Sequence, residues 1–247
     1  VGFDRIVWRI IPEASTRSAE LMAGNVDIIT NVAPDQMDVI NGSGTAEVNP
    51  IQGTRRMYVG FNLSDAMAAL PGGDAIQDPD VRRALQYAVD VPTICAQLLN
   101  FECTRMTGIV NPQTAHPDIE PSPNDPATAD RLLDEAGWPR GEDGTRFSIR
   151  FQAGQGRYLN DVNVVQAIAQ YLSDVGLDVD LEIMEWSSVY IPLVRERNVG
   201  PLYFIGSGGA LWSPLYDMTD LARIDSGTNY TRWDAPRWFD RWADISA

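Results

Sequence analysis

Two tryptophans stand where an α/β protein places its ligands. Trp186 directly follows a predicted strand, and Trp212 lies in an uncharged loop after the next predicted strand. Open α/β sheets bind their ligands at the carboxyl ends of the strands, so both indole rings are candidates for the wall of a pocket. Because large aromatic side chains are mostly buried, packing in the core is an equally good interpretation of each ring.

A glycine-rich segment adds a third candidate. Gly206, Ser207 and Gly208 are followed by Gly209, directly after a short predicted strand. A phosphate-binding loop needs a lysine and the start of a helix immediately after its glycines. The chain contains no lysine, and no capped helix begins at this point. The segment therefore predicts a loop whose backbone can approach a ligand closely.

Catalytic chemistry has little support in the other polar residues. The single histidine, His116, lies in a proline-rich loop predicted over residues 111–126, and loop side chains are mostly exposed. A multi-histidine metal site is impossible, and a Ser-His-Asp triad would depend on this loop residue. Asp178, Asp180 and Glu182 alternate along one strand and are interpreted as its solvated face. We therefore expect no catalytic group, no metal and no cofactor.

The two cysteines leave more than one interpretation. Cys95 lies in a predicted helix, and Cys103 lies just beyond its end. An even number of cysteines outside the cytosol favours a structural disulfide. A reactive or metal-binding thiol pair and two unpaired buried thiols stay open as alternatives, because the spacing allows all three.

The charge of the chain excludes two kinds of partner. Its 34 acidic and 19 basic residues give a net charge of −15, which repels nucleic acids and anionic membrane surfaces. The longest uncharged run, residues 198–216, is interrupted by glycines and prolines and does not predict a membrane helix. The sequence begins inside a predicted strand and ends inside a predicted helix over 238–245, so we expect a fragment.

Strands and helices must position the candidate residues. The stretch with the clearest secondary-structure signals is 58–90. It opens with a strand over residues 58–62, which is rich in aromatic and β-branched side chains. Asp78 is placed to cap the following helix, and Pro79 suits its first position. One face of this helix is predicted to be buried, from the spacing of Val81, Ala84, Leu85 and Ala88.

Further helix starts are marked in the same way. Asp90 is predicted to cap a helix up to Leu99, and Asp125 precedes another proline-led helix. Near the amino end, strands over residues 3–11 and 26–29 are predicted around a helix that ends at Met22. This tight succession suggests a βαβ unit.

The clearest βαβ unit lies in the second half of the chain. Its strands are predicted at residues 147–151 and 177–183, and its helix over 162–175. Such a unit is expected to be a parallel crossover. The whole is predicted to be an α/β protein with one sheet in residues 1–60 and another after it.

Six segments together carry a family resemblance. They are DRIVWRIIPEASTRSAELMAGNVDII at 4–29, YVGFNL at 58–63, QDPDVRRALQYAVD at 77–90, ATADRLLDEAGWP at 127–139, VGLDVDLEIMEW at 175–186 and NYTRW at 229–233. In this order they resemble the extracellular solute-binding protein family 5, the dipeptide-, oligopeptide- and nickel-type receptors of ABC importers. The resemblance covers nearly the whole chain and is specific as a set.

The resemblance implies an α/β fold of the class II periplasmic-binding-protein type. Such a receptor has two lobes that close over the ligand by a hinge motion. Residues 1–58 would belong to the first lobe, as a βαβ unit leading to the hinge. Residues 59–247 would form the second, C-terminal lobe, truncated at its carboxyl end, so the fragment would carry mainly that lobe.

The resemblance also implies a ligand-binding wall. Trp186 falls where family members place a tryptophan that packs along the ligand. Peptide-binding members follow the next strand with Gly-Trp and then an aspartate that pairs with the peptide's α-amino group; this sequence has neither, and Asp217 is the candidate for that charge. The other expected contacts are Gly206, Ser207, Gly208, Trp212 and Tyr216.

The implied function is a non-catalytic receptor for a peptide or a similar polar solute. It would deliver the solute to the membrane permease subunits of an ABC importer. We expect a monomer outside the cytoplasm, in the periplasm or anchored at the cell surface. The alternative is a hydrolase that cleaves peptides or glycosides with an Asp/Glu pair, for which sustained product release is the discriminating observation.

Overall fold

The computed structural model describes residues 2–51, 53–101, 103–208 and 213–234. Its helices are α1 (Ala14–Met22), α2 (Pro34–Gly42), α3 (Asp65–Ala68), α4 (Pro79–Ala88), α5 (Val91–Ile94), α6 (Pro126–Glu135), α7 (Asp161–Asp174), α8 (Ile191–Arg195) and α9 (Pro214–Ala222). Its strands are β1 (Arg55–Phe61), β2 (Phe147–Gln155), β3 (Leu177–Glu185) and β4 (Leu202–Gly208). Turns of π-helix at Cys95–Leu99 and Trp186–Tyr190 follow α5 and precede α8.

The described strands form one four-stranded sheet in the order β1-β4-β2-β3. β2 is parallel to both β3 and β4, whereas β1 runs antiparallel to β4 at the edge of the sheet. The parallel pairing predicted for the strands on either side of α7 is therefore confirmed. The carboxyl ends of β2, β3 and β4 share one end of the sheet, and the amino end of β1 lies there too. We call this end the carboxyl edge.

The two faces of the sheet are buried in different ways. On one face, Ile149, Phe151 and Ala153 of β2 share the main core with apolar side chains of α4, α6 and α7. Full burial of a side chain such as Phe151 contributes about 1.5–3 kcal/mol. The opposite face meets a smaller core that contains Tyr190 and Tyr203. The second face thus carries a smaller core rich in tyrosine, while the helices of the main core pack on the first face.

The predicted helix starts are confirmed by their caps. The side chains of Asp78, Asp90 and Asp125 each accept a hydrogen bond from an N–H of the first helical turn, at 2.8, 3.0 and 3.0 Å. Each cap satisfies an amide that has no partner inside the helix, and a proline stands at the start of each helix. Among the described residues, no helix is both long enough and apolar enough to cross a bilayer.

The βαβ unit predicted at the amino end is wrong. α1 forms close to its predicted position, but residues 3–11 and 26–29 are not strands. Trp8, Ile10 and Ile28 are 90%, 94% and 82% exposed. A strand needs a neighbour to pair with its N–H and C=O groups, and the described residues supply none here. The apolar pattern is therefore present without a sheet to bury it.

The glycine-rich segment is a strand over its described residues, so the predicted loop is wrong there. Gly206, Ser207 and Gly208 continue β4 and pair with the first three residues of β1. β1 supplies their hydrogen-bonding partners, and glycine does not prevent such pairing. β1 therefore belongs to the same sheet as the β2-α7-β3 unit, so the separate sheet predicted for residues 1–60 is also wrong. The lobe boundary expected after residue 58 falls inside β1.

Candidate functional site

An aromatic cluster lies at the carboxyl edge of the sheet. Tyr158, in the loop after β2, meets the indole ring of Trp186 edge to face, with 5.2 Å between ring centroids. The ring of Tyr190 lies 5.6 Å from the same indole. Trp186 is only half-buried, so the cluster combines a packed side with an exposed one. Rings held in this way offer a rigid apolar surface to a ligand.

Tyr158 is fixed in position from two directions. Its hydroxyl accepts a hydrogen bond from the N–H of Gly206 at 2.9 Å and donates to the carbonyl oxygen of Gly206 at 3.3 Å. The buried carboxylate of Asp161 accepts the backbone N–H groups of Arg157 and Tyr158, each at 2.9 Å. Burial raises the pKa of the Tyr158 hydroxyl, which therefore stays protonated and able to donate. Asp161 thus shapes the loop, and Tyr158 joins it to β4.

Two glycines allow the rings to lie against the strands. A Cβ atom at Gly154 would lie 2.6 Å from Cε3 of Trp186 and 2.6 Å from Cδ1 of Tyr190. A Cβ atom at Gly206 would lie 2.6 Å from Sδ of Met57 and 3.1 Å from Cε1 of Tyr158. Gly154 is required because two rings pack against it, and Gly206 is favoured because Met57 and Tyr158 approach it closely. The backbone conformation makes no such demand at either position.

Replacing Gly154 by alanine is expected to lower the free energy of unfolding by about 1–3 kcal/mol, because the added methyl group displaces Trp186 and Tyr190. Denaturant unfolding measures the loss, and near-ultraviolet circular dichroism reports the rearranged rings. Gly42→Ala is the matched control, since no atom lies within 4 Å of a Cβ there. An alanine at 154 that leaves both the stability and the spectrum unchanged contradicts the packing described.

Asp217 is buried and already has partners. Its carboxylate forms an ion pair with Arg56 and accepts the N–H of Asn111 at 3.1 Å. The side chains of Arg56 and Asp217 are only 4% and 2% exposed. Arg56 also donates to the hydroxyl of Ser207 at 3.4 Å and to the carbonyl oxygen of Ile109 at 3.0 Å. The contact of Asp217 with a ligand stays a prediction, and in this structure its charge holds α9 against β1.

The remaining predicted contacts are placed as follows. Ser207 and Gly208 lie at the end of β4, in the carboxyl edge. Tyr216 is in α9, where its side chain is 41% exposed. Trp212 and Gly209 lie outside the described residues. The structure therefore brings Trp186, Gly206 and the end of β4 together at one edge of the sheet.

The carboxylates of β3 are occupied by β2. In the paired register, Ser148, Arg150 and Gln152 donate to Asp178, Asp180 and Glu182, at 2.8, 3.4 and 2.6 Å respectively. These contacts form a ladder between neighbouring strands. Within the described ranges, no three His, Cys, Asp or Glu side chains lie close enough together to hold a metal ion. His116 is exposed in its loop, with Nδ1 accepting the N–H of Asp118.

Cys95 and Cys103 are joined by a disulfide bond, with their Cα atoms 5.7 Å apart. The bond ties the π-helical turn after α5 to the loop that follows it. Of the interpretations that the spacing left open, this structure contains the disulfide. The cross-link lies in the segment that leads towards Asn111, the donor to Asp217.

Sequence reasoning missed several residues of this edge. Gly154 lies near the end of β2, Arg157 and Tyr158 lie in the loop after it, and Asp161 is the first residue of α7. The signal that indicated Trp186, a position after the carboxyl end of a parallel strand, applies equally to this loop. Arg55 had no such signal, because only the pairing of β1 with β4 brings it to this edge.

This arrangement defines a class of protein. A mostly parallel α/β sheet, with aromatic rings and closely approached glycines at its carboxyl edge, is typical of α/β domains that bind small solutes. The sequence of residues 1–229 matches the family described as bacterial extracellular solute-binding proteins, family 5 middle. The chain belongs to this family of non-enzymatic binding proteins.

Known relatives agree with this assignment. The glutathione-binding protein GsiB of Escherichia coli K12 is 26% identical over 183 residues, which is 74% of this chain and 33% of the relative. The peptide-bound DppA of Helicobacter pylori superposes with a TM-score of 0.77 at 20% identity, covering 96% of this chain and 44% of that one. NikA of Staphylococcus aureus with Ni(L-His)2 gives 0.74 at 15% identity, covering 95% and 48%. The chain thus spans less than half of each, and the structural likeness establishes the fold.

Proposed function

We propose that this chain belongs to the substrate-binding protein of an ABC importer and that its carboxyl edge holds the solute. The observation that carries the proposal is the half-exposed Trp186–Tyr158 pair, fixed at the end of the sheet in a member of solute-binding family 5. The solute we favour is a peptide or a polar molecule of similar size. The names of GsiB and DppA, which describe glutathione and peptide binding, support this choice.

The structure also supports a division into lobes. We propose that β1 and the residues after it form the second lobe, with the boundary before Arg55, because all of β1 pairs with β4. Residues before this strand would belong to the first lobe, in agreement with the exposed apolar side chains of residues 3–11. Capture then proceeds by closure of the first lobe over the carboxyl edge, with a hinge at the approach to β1.

The setting we propose follows from the family. A monomeric receptor would work in the periplasm or anchored at the cell surface, and would pass its solute to the permease subunits in the membrane. The disulfide between Cys95 and Cys103 supports an oxidising compartment outside the cytoplasm. The net charge of −15 is consistent with a protein that avoids anionic surfaces.

Native mass spectrometry of the gently purified intact protein tests the receptor proposal. We expect a co-purified molecule of peptide mass. It should dissociate with its mass unaltered when the protein is denatured. Incubation with added peptides should leave their masses unaltered. Sustained release of cleavage products would refute the receptor and favour a hydrolase instead.

Replacing Trp186 by alanine is expected to weaken solute binding about tenfold or more, because an aromatic anchor in a binding surface contributes about 2 kcal/mol. Titration calorimetry with the co-purified solute measures the change. Trp186→Phe keeps an aromatic ring and should retain most of the affinity. If the alanine variant binds as tightly as the wild type while the solute is shown to occupy another region, the edge described here is not the binding wall.

A further inference from the structure

The disulfide bond closes a short ring of chain that contains a helical turn. Cys95 begins the π-helical turn Cys95–Leu99, and its bond to Cys103 closes the ring over a sequence separation of 8. Leu98 lies inside this ring, near the end of the turn. The last carbonyl groups of a helix have no partner within it, so the carbonyl oxygen of Leu98 is available to accept a hydrogen bond from another segment.

Asn160 supplies that hydrogen bond. Its Nδ2 donates to the carbonyl oxygen of Leu98 at 2.7 Å, across 62 positions of the sequence. Asn160 is the N-cap residue of α7, yet its side chain makes no capping hydrogen bond to that helix. Its backbone is left-handed, with a φ of 52°, which asparagine tolerates better than most residues. The side chain thus forgoes the usual contact of an N-cap and joins α7 to the disulfide-closed ring.

The same residue adjoins the loop that carries Tyr158. Asp161 follows Asn160 directly, and its carboxylate accepts the backbone N–H of Tyr158 at 2.9 Å. The ring of Tyr158 lies 5.2 Å from the indole ring of Trp186, between centroids. A connected series of contacts therefore runs from the disulfide through Leu98 and Asn160 to the proposed binding wall.

The segment after Cys103 reaches the same edge of the sheet by a second route. The carbonyl oxygen of Ile109 accepts a hydrogen bond from Arg56 at 3.0 Å, and the N–H of Asn111 donates to Asp217 at 3.1 Å. These contacts join the segment to the buried ion pair between β1 and α9. The disulfide therefore lies in a segment that contacts the surroundings of the carboxyl edge at two separate places.

We propose that the disulfide between Cys95 and Cys103 positions the solute-binding edge through Leu98 and Asn160, so that full affinity appears only when the bond has formed. The inference rests on the proposed function and names the regulation of that same edge. An isolated π-helical turn is a rare conformation, and the cross-link restricts the alternatives that the reduced segment can adopt. Reduction then moves the acceptor away from Asn160 and releases the loop of Tyr158.

The redox state of the two cysteines changes with the compartment. Thiols stay reduced in the cytoplasm, so a newly made chain holds the solute weakly there. Outside the cytoplasm, the two thiols lose two protons and two electrons to a disulfide-bearing exchange partner, which becomes a dithiol. Cys103 is half-buried whereas Cys95 is only 4% exposed, so an exchange partner reaches the pair at Cys103. Binding thus strengthens where the receptor is proposed to capture its solute.

Hydrogen exchange followed by mass spectrometry tests the positioning on the intact protein without any solute. Reduction by dithiothreitol should raise the exchange rate over residues 157–161 about tenfold, because the loop loses about one net hydrogen bond. Exchange in α2, in the amino-terminal part of the chain, is the control and should not change. An exchange rate over 157–161 that is the same in both redox states overturns the inference, whatever the solute is.

Titration calorimetry with the tetrapeptide Ser-Thr-Ser-Ala measures the effect on binding. The oxidised protein should bind about tenfold more tightly than the reduced protein. Reoxidation by bis(2-hydroxyethyl) disulfide should restore the affinity. The double variant Cys95→Ala/Cys103→Ala should bind as weakly as the reduced wild type, with or without dithiothreitol. A response to dithiothreitol that persists in this variant comes from another group and overturns the inference.

A variant of Asn160 assigns the effect to its contact with Leu98. Asn160→Gly removes the side chain, and glycine adopts the left-handed backbone without strain. This variant should bind as weakly as the reduced wild type and lose no further affinity on reduction, because both changes remove the same connection. Additive losses from the substitution and from reduction show that the disulfide acts by another route, and they overturn the inference.

Asn124→Ala is the matched control for this variant. The Asn124 side chain also donates to carbonyl groups at a helix end, those of Tyr87 and Ala88 in α4. The control should keep both the affinity of the oxidised protein and its loss on reduction. Thermal unfolding checks that every variant is folded in both redox states.

The two measurements separate this inference from the proposed function. Equal affinity in both redox states overturns the regulation and leaves the receptor standing. If Ser-Thr-Ser-Ala binds in neither state, the peptide receptor is overturned and the effect on affinity with it. Hydrogen exchange over residues 157–161 still decides, without a solute, whether the disulfide positions the edge.

Discussion

Replacing Asp217 by alanine is expected to lower the free energy of unfolding by about 3–5 kcal/mol. The substitution leaves Arg56 buried without its counter-ion, in a position that is only 4% exposed. It also removes the acceptor for the N–H of Asn111. The cost comes mainly from the unpaired buried charge, which water cannot solvate. Urea unfolding, followed by circular dichroism, measures it.

Two controls test this explanation. Asp180→Ala breaks the ion pair with Arg150. The side chains of Arg150 and Asp180 are 44% and 61% exposed, so this substitution should lower the free energy of unfolding by less than about 1 kcal/mol. The double variant Arg56→Met/Asp217→Leu removes both buried charges and should recover most of the loss. If Asp217→Ala costs no more than Asp180→Ala, the ion pair does not hold α9 against β1 in the way described.

Raising the pH above about 10 is expected to unfold the protein, because its second core is built from tyrosines. Burial raises the pKa of the Tyr58, Tyr190 and Tyr203 hydroxyls, and neighbouring tyrosines raise it further. In the unfolded chain these groups lose their protons near pH 10, whereas in the folded protein they keep them. The unfolded state therefore binds fewer protons, and the free energy of unfolding falls by about 1.4 kcal/mol per pH unit for each tyrosine.

Urea unfolding between pH 8 and about 12 tests this, with absorbance at 295 nm reporting tyrosinate. Tyr203→Phe should reduce the slope of the free energy of unfolding against pH by the contribution of one tyrosine, about 1.4 kcal/mol per pH unit. It should cost little at neutral pH, because the Tyr203 hydroxyl has no hydrogen-bond partner among the described residues. Tyr216→Phe, on the exposed face of α9, is the matched control and should leave the slope unchanged. If tyrosinate forms at a pH well below the pH of unfolding, the tyrosines of the second core are accessible to water and the explanation is wrong.

The sequence predicted the helix starts and the β2-α7-β3 unit because their signals are local. An aspartate followed by proline satisfies the first amides and sets the backbone of the first turn, whatever surrounds the helix. Alternation in β2 and β3, interrupted by the helical spacing of α7, specifies which face of each element is apolar. These local signals predict the α/β class without knowledge of any long-range contact, and the observed helices and sheet confirm it.

Signals that depended on a distant partner were misjudged. The apolar pattern of residues 3–11 predicts a strand, yet strand formation requires a neighbour, and the described residues provide none. The reverse holds for Gly206, Ser207 and Gly208, which read as a loop and become a strand because β1 pairs with them. Propensity is a weak guide where pairing across the chain decides the outcome.

The candidate site shows the same division. The sequence determined by itself that Trp186 would follow a strand, because apolar and acidic residues alternate in the segment before it. Only the tertiary structure decided that Asp217 pairs with Arg56, and that Arg55 approaches the ring of Tyr158. These contacts join residues about 100 or more positions apart, and their energies depend on burial and on the partner present, neither of which is written in a local pattern.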